Sequence, residues 1–146
     1  MSIVLSLIVM NLKNYKKITW QIIDTDNVIN WVLGISLILV PDFFNRLIFG
    51  HEVISHWIYI LMGLGCLWFA IWQLDNFIKN RQLTEQALRF SAFLDWLWGL
   101  LLSLALLSSL GGRMLLISRI LLWVVNLSLL TRGGWFWWVS AQIESA

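Results

Sequence analysis

"FSAFLDWLWGLLLSLALL", residues 90–107, decides the fold of this chain. A bilayer core takes about 20 largely apolar residues, so a run of this length and composition reads as a membrane-crossing helix. Backbone polar groups find no water in lipid, which leaves the helix as the only form for a lone span. Yet the run carries Asp95 well inside it, and a carboxylate there needs a reason.

The rest of the sequence agrees with that reading. Of 146 residues, 60% are hydrophobic and 12% charged, too little polar surface for a water-soluble domain. Eleven tryptophans fit the headgroup belts in which an amphipathic ring is at home. A net charge of +2 gives no case for nucleic acid or an acidic substrate. Cys66 is the single cysteine, which excludes an internal disulfide, a CxxC pair and a cysteine-based zinc site. The opening "MSIVLSLIVM" precedes the basic "KNYKK", the reverse of a secretory signal, and is expected to be an interfacial lead-in.

Four apolar runs follow, expected at about residues 24–40, 53–77, 88–110 and 113–138. Residues 1–23 then form an N-terminal cytoplasmic or interfacial segment, 24–138 the transmembrane domain and 139–146 a cytoplasmic tail. The first run is the weakest, because Asp24, Asp26, Asn27 and Asn30 crowd its start. Pro41 opens a short amphipathic segment with Phe43, Phe44, Leu47 and Ile48 on one side, expected to lie at the interface. Thr84 is a candidate N-cap for the third span, and Gly111–Gly112 a candidate turn after it.

Basic residues predict the orientation. Lys13, Lys16, Lys17, Lys79, Arg81, Arg89 and Arg132 share a side with both termini, whereas Arg46, Arg113 and Arg119 lie opposite. Both termini are expected in the cytoplasm.

Periodicity picks out the inward faces. His56, Tyr59, Gly63, Cys66, Ala70, Gln73 and Phe77 recur by threes and fours; Ser91, Asp95, Gly99 and Ser103 recur by fours. Arg119, Asn126 and Gly133 share a face of the fourth run, and Asn30 and Gly34 a face of the first. Small residues let helices approach in lipid and polar ones hydrogen-bond across the contact. The expected fold is an antiparallel four-helix transmembrane bundle with a short amphipathic segment after the first span.

The interior polar set is therefore Asp95, Arg119, Asn126, Arg132, Gln73 and Asn30. Asp95 is expected near the cytoplasmic end, within reach of Gln73, Asn126, Arg132 and Asn30, with Arg132 its partner. Arg119 belongs roughly 10–15 Å away along the normal, at the level of an outer polar group of His51, Glu52, His56 and Tyr59. Either charge has a functional reading, an ion or proton site, and a structural one, an ion pair or a snorkelling side chain.

No catalytic residue, metal or cofactor is assigned. The spacing of His51 and His56 does not suit helical metal ligands, and phosphate loops, HExxH and GxSxG are absent.

Three stretches, "GISLILVPDFFNRLIFG" (34–50), "YILMGLGCLWFAIWQL" (59–74) and "LDWLWGLLLSLALL" (94–107), carry a family resemblance. Over residues 28–138 the chain resembles a group of small bacterial four-span membrane proteins of unknown function, distantly like the DoxX-type membrane proteins. The particular points are Asp95, Trp98, Gly99 and Ser103. The resemblance implies a four-helix fold in a bacterial inner membrane and carries over no catalytic residue.

The expected function is non-enzymatic: an accessory, binding or scaffold component engaging, besides the lipid bilayer, a membrane protein, a second copy or a hydrophobic ligand. The alternatives are an oligomeric transporter or channel using Asp95 and Arg119, and a redox protein acting on quinone.

Overall fold

The computed structural model describes residues 2–144, with side chains described from residue 14 to residue 143. Its order is α1 (Ser2–Leu39), α2 (Pro41–Phe49), α3 (His56–Gln73, continued by a π-helical turn over Leu74–Ile78), α4 (Glu85–Leu107), α5 (Ser109–Gly112) and α6 (Leu116–Glu144). No strand occurs among the described residues.

Four of these helices have membrane-crossing length and composition: Asn14–Leu39, His56–Ile78, Glu85–Leu107 and Leu116–Ile143. Only 17–28% of the residues in their most apolar windows are buried. The outer surface carries Trp57 (72% exposed), Leu116 (73%) and Ile117 (74%), a surface that water would not tolerate and lipid accepts. The chain is a four-span helical membrane bundle.

The first helix is longer than expected. Residues 2–39 form one continuous helix, not an interfacial segment followed by a span beginning at residue 24. The polar residues that seemed to crowd its start are each accommodated. Asp24 takes Arg81 at 3.0 Å, Asn27 donates to the Ala70 carbonyl at 2.7 Å, and Asn30 donates to the Asp26 carbonyl at 2.9 Å. Satisfied in this way, they need no break in the helix. Met1 lies outside the described residues, as do Ser145 and Ala146; the expected tail from residue 139 is helical through Glu144.

The other boundaries move by a few residues. α3 starts at His56, α4 spans Glu85–Leu107, and Thr84 caps α4 by accepting the Ala87 N–H at 3.3 Å. The expected turn at Gly111–Gly112 is instead the end of α5, whose N-cap Ser108 accepts the Leu110 N–H at 3.2 Å. A Cβ at Gly111 would sit 2.0 Å from the Leu106 carbonyl oxygen, so it is close packing that demands glycine there.

α1 lies along α3 and α4 along α6. The first pair crosses at two glycines: a Cβ on Gly63 would meet the Gly34 carbonyl at 2.7 Å, and one on Gly34 the Gly63 carbonyl at 2.9 Å. The principal apolar core lies toward the end that carries both termini. Tyr15, Ile23, Phe77, Ala87, Leu88, Ala92, Phe136 and Val139 pack there. At the other end α2 touches α1, α3 and α6. It buries Asn45 and Phe49 and leaves Phe43 and Leu47 exposed toward lipid.

Candidate functional site

The inward faces bring four side chains from four spans to one point. Asp26 comes from α1, Gln73 from the last residue of α3, Asp95 from α4 and Arg132 from α6. Arg132 holds Asp95 as a fork: Nε donates to Oδ2 at 2.8 Å and Nη2 donates to Oδ1. Its third arm, Nη1, donates to Oδ1 of Asp26. Gln73 Nε2 donates to the other oxygen of Asp26 at 2.7 Å, and Gln73 Oε1 accepts from Asn27 Nδ2 at 3.3 Å.

This cluster is buried apart from the guanidinium side. Gln73 is fully buried, Asp95 is 3% exposed and Asp26 5%, and the Arg132 side chain keeps 19% exposure. A guanidinium suits the place because its planar fork matches a carboxylate with two parallel bonds and still has N–H groups to spare. A charge at the centre of a span costs roughly 2.5–3.5 kcal/mol on insertion scales unless it is met by a partner. Here each charge is met, but the count is uneven: two carboxylates face one guanidinium.

α4 begins at Glu85, so Asp95 lies about 15 Å along the helix from its start, three residues further in than a start at residue 88 implies. The helix ends nearest the termini carry ion pairs, Asp24–Arg81 at 3.0 Å, Asp75–Lys79 at 2.5 Å and the half-buried Glu85–Arg89 at 2.9 Å.

Of the expected neighbours of Asp95, Gln73 and Arg132 converge on this network, Gln73 through Asp26. Asn126 and Asn30 do not. Asn126 is buried one level further along, donating to Ser103 Oγ at 2.7 Å, and Ser103 donates to the Gly99 carbonyl at 2.8 Å. The Asn30 side chain turns back on its own helix. Arg119 lies about 20 Å from Arg132 along α6; its Nη2 reaches the Leu106 carbonyl at 3.5 Å.

The outer group gathers around a residue the sequence reading passed over, Asn45. Buried at 1% exposure, its Oδ1 accepts from the backbone of Val53 (3.2 Å) and Ile54 (3.0 Å) and from the Tyr59 hydroxyl (3.3 Å). Its Nδ2 donates to the Ile54 carbonyl at 2.8 Å, so one amide shapes the α2–α3 loop. His56 Nε2 lies 2.5 Å from Asp42 and 3.6 Å from Glu52. With Arg46, Gly50 and His51 these residues line an open cleft. Among the described residues no group of three His, Cys, Asp or Glu side chains is placed to hold a metal ion.

Asp26, like its neighbour Asn27, is another buried residue the reading did not assign to the interior. Its signal was present: Tyr15, Thr19, Ile23, Asp26, Asn30, Gly34 and Leu37 step by threes and fours, and all but Asn30 are buried. Extending the Asn30–Gly34 face backwards would have reached it.

Comparison of the chain with protein-family models, with curated proteins and with solved structures returned no match. The residues alone carry the functional argument.

Proposed function

We propose that this chain is a non-enzymatic accessory or binding component of a bacterial inner membrane, both termini cytoplasmic, engaging a membrane protein through its lipid-facing surface. The supporting observation is a contrast between inside and outside. The interior charges are spent on one another in the Asp26–Arg132–Asp95 network. The outside displays broad aromatic area, with Trp57, Trp68, Trp137 and Trp98 exposed by 72%, 55%, 47% and 41%. Tryptophan gives much contact area for little ordering entropy, which suits an interface residue. The basic residues at the end of the termini support the orientation.

A photo-crosslinking amino acid at Trp57 or Trp98, activated in native membranes, tests this reading. One discrete adduct at fixed stoichiometry is expected; lipid adducts alone would overturn it. A reporter fused to the C-terminus checks the orientation.

The uneven charge count favours a second reading, an oligomeric transporter or channel. On this geometry Arg119 stands apart from the carboxylates. In proteoliposomes Asp95→Asn and Asp26→Asn would then abolish flux while Arg119→Gln would not, and absence of flux in the unaltered protein sinks the idea.

A further inference from the structure

The four spans are built as two hairpins, α1 with α3 and α4 with α6, and at the end opposite the termini α2 lies across them, touching α1, α3 and α6. Two bonds fix it to α6. Ser118 Oγ donates to the Leu47 carbonyl at 2.6 Å, and the Leu115 N–H donates to the Ile48 carbonyl at 2.8 Å. Gly50, at φ +78°, ends α2 and turns the chain so that Glu52 and His56 come back beside Asp42. The open cleft between them holds about 430 Å³, and Asn45 ties the backbone of its far wall at Val53 and Ile54.

The frame of the cleft is bonded more completely than its charges. Asp42 and Arg46 are four residues apart on α2, a spacing at which opposite charges pair. Asp42 turns instead to His56 Nε2, at 2.5 Å, and Glu52 reaches the same nitrogen at 3.6 Å. The Arg46 guanidinium has no carboxylate partner among the described residues. Two carboxylates therefore converge on one imidazole nitrogen, while an unmatched guanidinium stands one helical turn, about 6 Å, along α2. Next to Asp42 and Arg46 in the chain come Phe43 and Leu47, both exposed, so the rim of the cleft meets hydrocarbon where its floor meets water.

We propose that this cleft binds the headgroup of a phospholipid whose phosphate bears a primary ammonium arm, as in phosphatidylethanolamine. Arg46 takes the phosphate with its fork of N–H donors, and Asp42 and Glu52 accept from the ammonium beside His56. The acyl chains pass Phe43 and Leu47 into the bilayer. An anionic headgroup without the ammonium would set a phosphate against two carboxylates with nothing between them. A trimethylated ammonium has no N–H to give those carboxylates. Free phosphoethanolamine has the same two polar ends but no chains for the apolar rim, which makes the lipid the occupant. Such a site goes beyond the accessory role and stands without any protein partner.

Native mass spectrometry of the full chain in detergent, with dioleoyl lipids added singly, tests the site. Phosphatidylethanolamine should be retained about fivefold over phosphatidylcholine and phosphatidylglycerol, the upper effect of an exposed ion pair, with its N-methyl and N,N-dimethyl forms between. Arg46→Gln should lower retention of every phospholipid, since all share the phosphate. Asp42→Asn with Glu52→Gln should bring phosphatidylethanolamine down to the level of phosphatidylcholine. Arg113→Gln, exposed at the same end but outside the cleft, should change nothing. Equal retention of the three lipids by the unaltered chain overturns the site, as does a preference for phosphatidylglycerol. So does an ethanolamine preference that survives the double change, or a loss in Arg113→Gln equal to that in Arg46→Gln. Displacement of the lipid by an equal concentration of glycerophosphoethanolamine would make the free headgroup the ligand and overturn the lipid. If circular dichroism shows that a variant does not fold, the headgroup series on the unaltered chain decides alone.

Discussion

Gln73 donates its side-chain N–H to Oδ2 of Asp26 at 2.7 Å, so an amide on α3 completes the coordination of a carboxylate whose other oxygen is held by α6. The contact joins the two helices of the first hairpin at the point where the second hairpin also attaches. It sits at the junction between regular α3 and its π-helical last turn, a distortion often found beside functional positions.

Replacing Gln73 with Leu keeps the volume and removes both bonds. Asp26 then has one oxygen without a donor, and the Asn27 amide loses one acceptor. A hydrogen bond to a charged group contributes about 1.5–3 kcal/mol, and unfolding in detergent, followed by tryptophan fluorescence, should show a loss of that order. A stability equal to the wild type would mean that water takes the place of the amide.

Arg132→Leu leaves two carboxylates facing each other without a counter-charge. Breaking a buried pair by removing one member costs about 3–5 kcal/mol, enough to lower the yield of folded protein in the membrane. Adding Asp26→Asn and Asp95→Asn to that variant should recover much of the loss. Arg132→Lys should fall between, because an ammonium keeps the charge without the fork. Should the triple variant be no better than Arg132→Leu, charge is not what the position supplies.

Gly63 and Gly65 provide a matched comparison within α3. A Cβ at Gly63 meets the Gly34 carbonyl at 2.7 Å, whereas at Gly65 nothing lies within 4 Å. Gly63→Val should destabilise the α1–α3 hairpin by roughly 1–3 kcal/mol, the usual range for overpacking, and Gly65→Ala should be neutral or slightly stabilising. Denaturant titration of the two variants side by side reads the difference; equal effects would place the helix crossing elsewhere.

Asn45→Ala strips the α2–α3 loop of its organiser. The Val53 and Ile54 amides and the Tyr59 hydroxyl lose their common acceptor, and the Ile54 carbonyl loses a donor. Hydrogen exchange at Val53 and Ile54 should accelerate strongly while amides in the middle of α3 stay protected. Protection unchanged at both positions would show that α2 packing, not this side chain, shapes the loop.

Much of the architecture was legible because lipid leaves few choices. Apolar length marked the spans, and the small and polar stripes marked the faces turned inward. Tyr59, Gly63, Ala70, Gln73 and Phe77 are all buried, as are Ser91, Asp95 and Gly99. The start of the first helix was not legible, since four polar residues within seven positions, Asp24, Asp26, Asn27 and Asn30, look like a boundary until their partners are known. Asn30 finds its partner four residues back on its own helix, but those of Asp24, Asp26 and Asn27 are Arg81, Arg132, Gln73 and the Ala70 carbonyl, none of them near in sequence.

The stretch 90–107, by itself, determined that this chain crosses a membrane as helices and that Asp95 faces other helices, because spacing and hydropathy are properties of one segment. What answers Asp95 was a matter for the tertiary structure alone. Whether Arg132, Arg119 or Asn126 arrives at its level depends on where each helix starts and how far it slides against its neighbour. The close glycine contacts Gly34–Gly63 and Gly133–Trp96 set those registers. They bring Asp26 in as a second carboxylate, and so an apparent ion pair becomes a three-way junction with one charge unbalanced.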